Sequence, residues 1–484
     1  MKTKSAQPRR AASQAASAEP GSKTIRPAKN IPVIHPHAAG VDIGATEHSV
    51  CVPEDAVSAG ESPVRQFRAF TADLDQAVEW LRVCGVQTVA MESTGVYWIP
   101  FYQKLEVAGF EVLLVNARHL KRVPGRKTDI LDCQWLQQLH SYGLLSGSFR
   151  PSDDICCLRT YLRHRGNLVA GCGQQVQHMQ RALDQMNIHL HHVVSDLDGE
   201  TGLRILDAIL AGQRDAKALV KLRDPRIKKS TEAEMEAALK GDWREEHLFV
   251  LKQALESYRS LHRQMAECDS AVEKLLERIA VNPSAVPEEQ RPKNPAATQA
   301  AKKTKKKKRG GNAPKQDFTA ALARICGVDL TRIVGLNVLS VLMLISEIGV
   351  DMTRWPNAKA FCAWLGLCPG SKISGGKVLS SRTAHVVNRV SILLRTLAPT
   401  IGRTESWLGD FHRRMTGRLG PAAANTATAR KLATVIYHLL TYKEEYIDVD
   451  RLIYAQKFRR SRLARLRKQA EELGFELVET KQAA

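Results

Sequence analysis

Residues 38–44 have the sequence AAGVDIG, and residues 88–93 have the sequence TVAMES; these two segments decide the fold. Each is a short run of small and apolar residues with a carboxylate near its end, Asp42 in the first and Glu92 in the second. Short apolar runs bounded by glycine or polar residues are typical of strands. The sequence therefore predicts two strands, each with an acidic residue at its carboxyl end.

The neighbouring segments predict the rest of a domain over residues 34–150. HSVCVPE, VRQFRAF and EVLLVNA favour strands, and helices are predicted over Asp73–Val83 and in IPFYQKLEVAG. Three strands followed by alternating helices and strands predict an α/β domain, a mixed sheet with helices packed on it. Thr128 is the expected N-cap of a further helix that runs through ILDCQWLQQLHSYGLL.

Two more acids, Asp129 and Asp132, lie three residues apart in the first turn of that helix and so share one face. If the strands of Asp42 and Glu92 are neighbours, four carboxylates from three elements meet at one edge of the sheet. Such a cluster raises its own pKa values unless cations bind it, and carboxylate oxygens suit Mg²⁺. Two Mg²⁺ ions there would stabilise the attacking and leaving oxygens of a phosphodiester.

Other interpretations of these acids stay open. Asp129 and Asp132 are also ordinary first-turn acids, which the helix dipole favours. VDIGATEHSV is similar to the phosphate loop of sugar kinases and actin-like ATPases, although no second Asp-Gly-rich loop follows downstream. Glu92 ends an apolar strand and therefore needs a partner or a function. A metal-dependent nuclease accounts for the four acids together.

After Pro151 the strand pattern ends, and residues 151–280 have the heptad spacing of long helices. The two seams consist of Leu158, Leu162, Arg165, Val169, Cys172, Val176, Met179, Leu183 and Met186, and of Leu251, Ala254, Tyr258, Leu261, Met265, Cys268, Val272, Leu275 and Ile279. The two helices are expected to pair with each other or with another protomer as a coiled coil. Arg165 interrupts the first seam, either as a register device or as a residue that contacts phosphate.

Two segments are predicted to be disordered. Residues 281–318 are predicted to form a linker, because they include the run KKTKKKKR, whose seven like charges repel one another. This run is also a candidate for sequence-independent phosphate contact. Residues 1–33 form a basic tail rich in Ala and Ser.

A helical C-terminal domain is predicted over residues 319–445, and residues 446–484 read as a basic amphipathic helical tail. IVGLNVLSVLMLISEIG resembles a helix-hairpin-helix, in which a Gly-containing turn points N–H groups at phosphate. Asn337 replaces the usual second glycine of that turn, so a buried helical hairpin is an equal alternative.

The composition indicates the class of partner. The 484 residues include 71 Lys and Arg against 50 Asp and Glu, a formal charge of +21 that favours nucleic acid, although a solvated basic surface explains part of it. Ten cysteines without C-x-x-C spacing argue against a zinc knuckle or a disulfide framework. With no apparent membrane span or signal peptide, the expected location is the bacterial cytoplasm, at the nucleoid when bound to DNA.

GVDIG, AMESTGVYW and NARHLKRVPGRKTDILDCQWL resemble the RuvC-like DEDD transposases of insertion sequences, and the KTDxxD spacing is highly specific for that family. IVGLNVLSVLMLISEIG, FCAWLGLCPGSKISGGK and ATARKLATVIYHLL resemble its second, transposase domain. The resemblance covers residues 36–190 and 320–445. It implies an RNase H/RuvC-like fold and a transposase that cuts and rejoins DNA. The catalytic, metal-binding acids it implies are Asp42, Glu92, Asp129 and Asp132.

The family also carries a nucleophilic serine in a P-x-x-x-x-S-G context, which Pro369 to Gly375 match, so the resemblance implies Ser374 as nucleophile. Ser371 is not followed by glycine, and a serine in such a Gly/Lys-rich loop is ordinarily a turn residue. A serine–phosphate ester preserves the bond energy, so strands can be exchanged without ATP. Candidate nucleic-acid contacts are Lys127, Lys372, Lys377, Arg382 and Arg389.

The resemblance further implies that a structured bridge RNA pairs with target and donor DNA and selects the sequence, as in other guided systems. It also implies a homo-oligomer, a dimer or tetramer, whose subunits share a composite site. The tail before Asp42 and the region 215–318 depart from the family pattern. Competing hypotheses are a RuvC-like nuclease or resolvase that hydrolyses DNA without a covalent serine, a coiled-coil nucleic-acid binder without activity, and an actin-like ATPase.

Overall fold

The chain divides into two compact units between Arg150 and Pro151 in the computed structural model. The structure describes residues 32–93, 95–116, 129–227, 230–279, 312–383, 388–447 and 451–476. Among the helices of these residues, none has the length and apolar character needed to cross a membrane. Thr128, the expected helix N-cap, lies outside the described residues.

The first unit is a five-stranded mixed sheet in the order β3-β2-β1-β4-β5 with helices packed on it. This architecture confirms the α/β class predicted from the sequence. The strands are β1 (Ala38–Ile43), β2 (Glu47–Cys51), β3 (Val64–Arg68), β4 (Thr88–Glu92) and β5 (Glu111–Val115). The helices are α1 (Thr71–Val83), α2 (Trp98–Val107) and α3 (Asp129–Ser141), with a 3-10 turn at Glu54–Ala56.

The two faces of this sheet pack against different helices because side chains alternate along each strand. Val41 and Met91 belong to the core that includes Leu81 of α1 and Phe101 of α2. On the opposite face Ala90 packs with Leu136 of α3. β1 runs antiparallel to β2 and parallel to β4, so β1 and β4 end at the same edge of the sheet.

The second unit begins with two long helices that pack along each other, one of the two arrangements that the heptad seams predict. They are α4 (Asp153–Gln185) and α9 (Glu245–Arg278). Four short helices lie between them in sequence: α5 (Leu190–Val193), α6 (Glu200–Leu210), α7 (Ala216–Val220) and α8 (Glu232–Ala238).

Arg165 of α4 is buried and lies opposite Asp269 of α9. Its Nε and Nη2 donate to the two carboxylate oxygens of Asp269 at 2.5 and 3.2 Å, and Nη2 also donates to the Asn312 carbonyl at 2.8 Å. Both side chains are only 7% exposed. The structure therefore answers the question left by the sequence: Arg165 fixes the helix pair, and its guanidinium is enclosed away from any phosphate.

The remainder of the second unit is mainly helical. Its helices are α10 (Thr319–Cys326), α11 (Val338–Ile348), α12 (Ala358–Trp364), α13 (Arg389–Gly402), α14 (Trp407–Leu419), α15 (Pro421–Tyr442) and α16 (Arg451–Glu472), with a 3-10 turn at Leu330–Arg332. The helical character predicted for this region is confirmed, and the region also contains an antiparallel hairpin that was not predicted, formed by β6 (Lys372–Ser374) and β7 (Lys377–Ser380).

The turn before α11 favours the buried-hairpin interpretation over a phosphate-binding one. Asn337 is the N-cap of α11, and its Oδ1 accepts hydrogen bonds from the Ser340 N–H at 2.8 Å and from the Ser340 hydroxyl at 3.0 Å. Such a cap satisfies an N–H group that a glycine turn would leave available for phosphate. α11 itself is an apolar helix with most of its residues buried.

Most of the predicted linker 281–318 lies outside the described residues, but its last part is packed. The Asn312 carbonyl accepts from Arg165, and the Gln316 amide reaches the Ser270 hydroxyl at 3.5 Å. Phe318 is 2% exposed. Residues 312–318 therefore pack against the second unit, in contrast to the linker predicted there.

Candidate active site

Asp42 and Glu92 occupy equivalent positions on two hydrogen-bonded parallel strands. Val41 of β1 pairs with Met91 of β4, so the next residue of each strand stands at the same level. Both acids follow a residue of the α1/α2 core, and alternation turns them to the face that α3 covers. Both side chains are half-buried. The two strands are neighbours, which is the condition under which the sequence predicts that both carboxylates lie at one edge of the sheet.

α3 crosses this face so that its beginning reaches the edge where the two acids lie. The Thr88 hydroxyl and His140 Nε2 are 2.8 Å apart, and Ala90 packs with Leu136. Two residues along β4 cover about 6.6 Å and four residues along α3 about 6 Å. α3 therefore runs antiparallel to β4, and its first turn, which contains Asp132, is directed towards the end of β4 where Glu92 lies.

A parallel series relates β1 to the same helix. The Gln137 amide donates to the Ala38 carbonyl at 3.2 Å, and a Cβ built on Gly40 would lie 2.3 Å from the Cys133 carbonyl oxygen. Gly40 thus lies against the turn of α3 from Cys133 to Gln137, and Asp129 lies one turn before Cys133. Asp129 is the first residue of α3, and its side chain lies outside the described part of the chain.

Gly40 is the residue that permits this close approach. Its added Cβ would also lie 2.3 Å from the Gln137 backbone nitrogen, and backbone atoms cannot move aside as a flexible side chain can. Any larger residue would push α3 away from β1. Gly40 was not among the predicted site residues, although a glycine inside a predicted strand is a signal of close backbone approach.

Buried neutral groups fill the space under α3. Burial and the nearby His35 lower the pKa of His140 to about 4, so the ring is neutral near pH 7 and can hydrogen-bond Thr88 as a neutral group. A hydrogen bond to Cys133, together with burial, raises the pKa of the Cys51 thiol. All ten cysteines are free. These groups hold α3 in register without placing a charge beneath it.

The predicted acids match a divalent metal in chemistry, since carboxylates supply hard oxygen atoms. Asp42 and Glu92 lie at one sheet edge, and Asp132 lies in the first turn of α3. Among the side chains that the structure describes, no three of His, Cys, Asp or Glu are grouped closely enough to hold an ion. Asp129, the fourth predicted acid, begins α3, and its side chain is not among those described.

Ser374 is the last residue of β6 and faces solvent at the tip of the hairpin. It pairs with Lys377 across a two-residue loop, Gly375-Gly376, whose φ angles are +53° and +74°. Positive φ at both loop residues matches a tight hairpin turn and favours glycine. The turn projects the Ser374 hydroxyl and the exposed Lys377 together from the protein surface.

The other predicted nucleic-acid contacts are distributed differently. Arg382 and Arg389 are exposed, and the Arg382 carbonyl accepts from the Gly370 N–H at 2.9 Å, at the base of the hairpin. Ser371 is also exposed. Lys127 and the side chain of Lys372 lie outside the described residues.

Comparison with known proteins gives two family matches. Residues 39–188 match a model described as a transposase, of the DEDD type found in IS110, and this segment includes the four acids. Residues 329–413 match a model described as the transposase IS116/IS110/IS902 family, and this segment includes Ser374. No curated protein matches the chain.

Proposed function

We propose that Ser374 attacks DNA phosphodiesters with the help of a magnesium site. The premise is that the chain belongs to the transposase family of the insertion sequences IS116, IS110 and IS902. Transposases of this family cleave and rejoin DNA, and the DEDD class to which the first unit belongs generally uses divalent metals.

One observation carries the proposal: Asp42 and Glu92 stand side by side at the carboxyl edge of two parallel strands, under the beginning of α3. Two carboxylates at equal register at one edge of a sheet supply hard oxygen ligands that a divalent cation can share. We infer that Asp129 and Asp132, in the first turn of α3, approach the same edge, because α3 runs antiparallel to β4 and begins at that end.

The metal ligands would be Asp42, Glu92, Asp129 and Asp132. Bound there, Mg²⁺, as two ions in the arrangement known for phosphodiester enzymes, would stabilise negative charge on the attacking and leaving oxygens. The residues of this chain hold and orient that site. Gly40 lets α3 approach the sheet, and the Thr88–His140 hydrogen bond fixes the far end of the same helix.

Ser374 would supply the nucleophile. Its Oγ forms an ester bond to phosphorus while one phosphorus–oxygen bond of the DNA strand breaks, and the hydroxyl proton passes to the leaving DNA oxygen. A DNA hydroxyl then attacks the ester, which rejoins the strand and restores the serine hydroxyl. The number of phosphate esters is constant throughout, so no ATP is needed. Lys377, paired with Ser374 in the hairpin, is suited to neutralise charge on the phosphate.

The wider proposal includes the partners that the family resemblance implies. A structured bridge RNA would pair with target and donor DNA, and a homo-oligomer would bring serine and acids from different subunits to one phosphate. The bacterial cytoplasm, at the nucleoid, is the corresponding location. The excess of 21 positive charges supports nucleic-acid partners in general.

A covalent trap tests the serine. The full-length chain is incubated with Mg²⁺ and radiolabelled element-end DNA, together with the flanking noncoding RNA, and then denatured and resolved by electrophoresis. The expected result is a protein–DNA adduct that Ser374→Ala abolishes and Ser371→Ala retains, since both serines are exposed in the same loop region. DNA cleavage by Ser374→Ala at an unchanged rate would instead support the hydrolytic nuclease.

A further inference from the structure

A cavity of about 990 Å³ lies beside the base of the β6–β7 hairpin, between the hairpin and helices α14 and α15. It is lined by four basic residues, Arg382, Arg418, Arg430 and Lys431, and we call it the basic groove. No acidic residue is among its described lining residues. All four basic side chains are exposed, so their charges face the cavity and solvent.

The fold assembles these charges from three separate elements. Arg430 lies on the face of α15 that also carries Ala423, Ala427 and Thr434, residues spaced three or four apart. Arg418 comes from the last turn of α14. Ala423 and Ala427 have small side chains, so open space remains between Arg418 and Arg430. This open space makes the surface concave.

The third element is the hairpin itself. The Gly370 N–H donates to the Arg382 carbonyl at 2.9 Å, and Pro369 bridges to Thr383. These contacts place Arg382 at the base of the hairpin whose tip carries Ser374. Four residues of extended chain separate Gly370 from Ser374, about 13 Å at the rise of a strand. The groove thus ends within a few nucleotides' length of the proposed nucleophile.

Apolar surface lies between the charges. Phe411 is half-buried and faces the cavity, and Leu419 is 46% exposed at its rim. Positive charges that follow a backbone, combined with an aromatic ring on which a base can stack, are the features of sites for single-stranded nucleic acid. A duplex keeps its bases stacked on each other and would leave the ring unused.

We propose that the basic groove binds a single-stranded nucleic-acid segment, with Arg418, Arg430 and Arg382 at its phosphates and one base against Phe411. Only the path of the bound strand, from the groove to Ser374 at the hairpin tip, rests on the proposed function. DNA and RNA strands share the chemistry that this groove recognises.

Fluorescence anisotropy with the full-length chain, without divalent cation, tests binding separately from cleavage. The probes are a labelled single-stranded DNA of about twelve nucleotides, the RNA of the same sequence and the DNA duplex. We expect Arg418→Ala/Arg430→Ala to weaken single-strand binding roughly tenfold and to reduce the salt slope of log Kd by about 1.4, the value for two lost phosphate contacts. Phe411→Leu is expected to weaken it by a similar factor with an unchanged salt slope.

The matched control is Lys252→Ala/Lys274→Ala, which removes two exposed charges from α9 and is expected to leave both quantities near those of the unmodified chain. Equal weakening by the groove and control pairs would overturn the proposal, as would equal losses for duplex and single strand. Tighter binding of the DNA or of the RNA probe identifies which strand occupies the groove. If no covalent adduct forms at Ser374 while the groove still binds single strands, the serine chemistry alone is refuted.

Discussion

Gly40 lies so close to the backbone of Cys133 that a Cβ on the glycine would be 2.3 Å from the cysteine carbonyl oxygen. This contact is where α3 crosses β1, one helical turn from Asp129 and two strand residues from Asp42. The distance between helix and sheet at this point therefore controls how near the acids of α3 come to the acids of the strands.

Gly40→Ala is expected to lower the free energy of unfolding of the first unit by about 1–3 kcal/mol, because α3 must move away from β1. Differential scanning calorimetry measures it. Gly166→Ala is the matched control: Gly166 lies in α4 with nothing within 4 Å of an added Cβ, and alanine there should stabilise by about 0.5–1 kcal/mol. An unchanged melting temperature for Gly40→Ala would contradict the close approach.

Asp42→Asn and Glu92→Gln are each expected to reduce DNA cleavage by a factor on the order of 10²–10³, because each removes a charged ligand without changing side-chain size. Magnesium titration by calorimetry should lose its binding heat in both variants, and chelation with EDTA should stop cleavage by the unmodified chain. Asp55 is an exposed acid of the same unit, so Asp55→Asn should retain both DNA cleavage and the heat of magnesium binding. A comparable loss in that control would refute a specific site.

Breaking the buried Arg165–Asp269 pair is expected to destabilise the second unit strongly. Arg165→Met alone or Asp269→Leu alone should each cost about 3–5 kcal/mol, since either leaves a buried charge without its partner. The double variant should recover most of that loss because both charges are gone. Thermal unfolding of the four chains measures the coupling, and additive losses would indicate that the two side chains act independently.

The pKa of about 4 for His140 predicts acid sensitivity of the first unit. The folded pKa lies below the ordinary 6.5, so the stabilisation is complete above pH 6.5 and is lost as pH falls towards 4, where the unfolded chain binds the proton more readily. The loss between pH 7 and pH 4 should be about 3 kcal/mol.

Unfolding midpoints of the first unit, followed from pH 7 to pH 4 in His140→Gln, should show a shallower pH dependence than in the unmodified chain. His37→Gln, in which an exposed histidine is replaced, is expected to keep the original dependence. A steep dependence that persists in His140→Gln would assign the acid sensitivity to other groups.

The sequence predicted the first unit well because its strands and helices have clear local patterns. The short apolar runs that contain Asp42 and Glu92 indicated two strands, and the helix predicted over Asp73–Val83 differs from α1 only at its start. The β6–β7 hairpin was missed, although Gly375-Gly376 between two short β-prone segments is a recognised hairpin signal.

Several features of the site could not be read from the sequence. Arg418 and Arg430 lie on different helices, and Arg382 lies beside the hairpin, so no spacing brings them together before the chain is folded. The role of Arg165 also depended on a partner more than a hundred residues away.

The sequence by itself determined which residues face which side of each strand and helix, since periods of 2 and 3.6 are properties of the local backbone. It also provided the four acids, the serine and the basic charge. Only the tertiary structure decided that β1 lies next to β4, that α3 begins over their shared edge, and that Asp269 meets Arg165. Those choices depend on which distant surfaces bury each other best, and a local pattern carries no information about its distant partner.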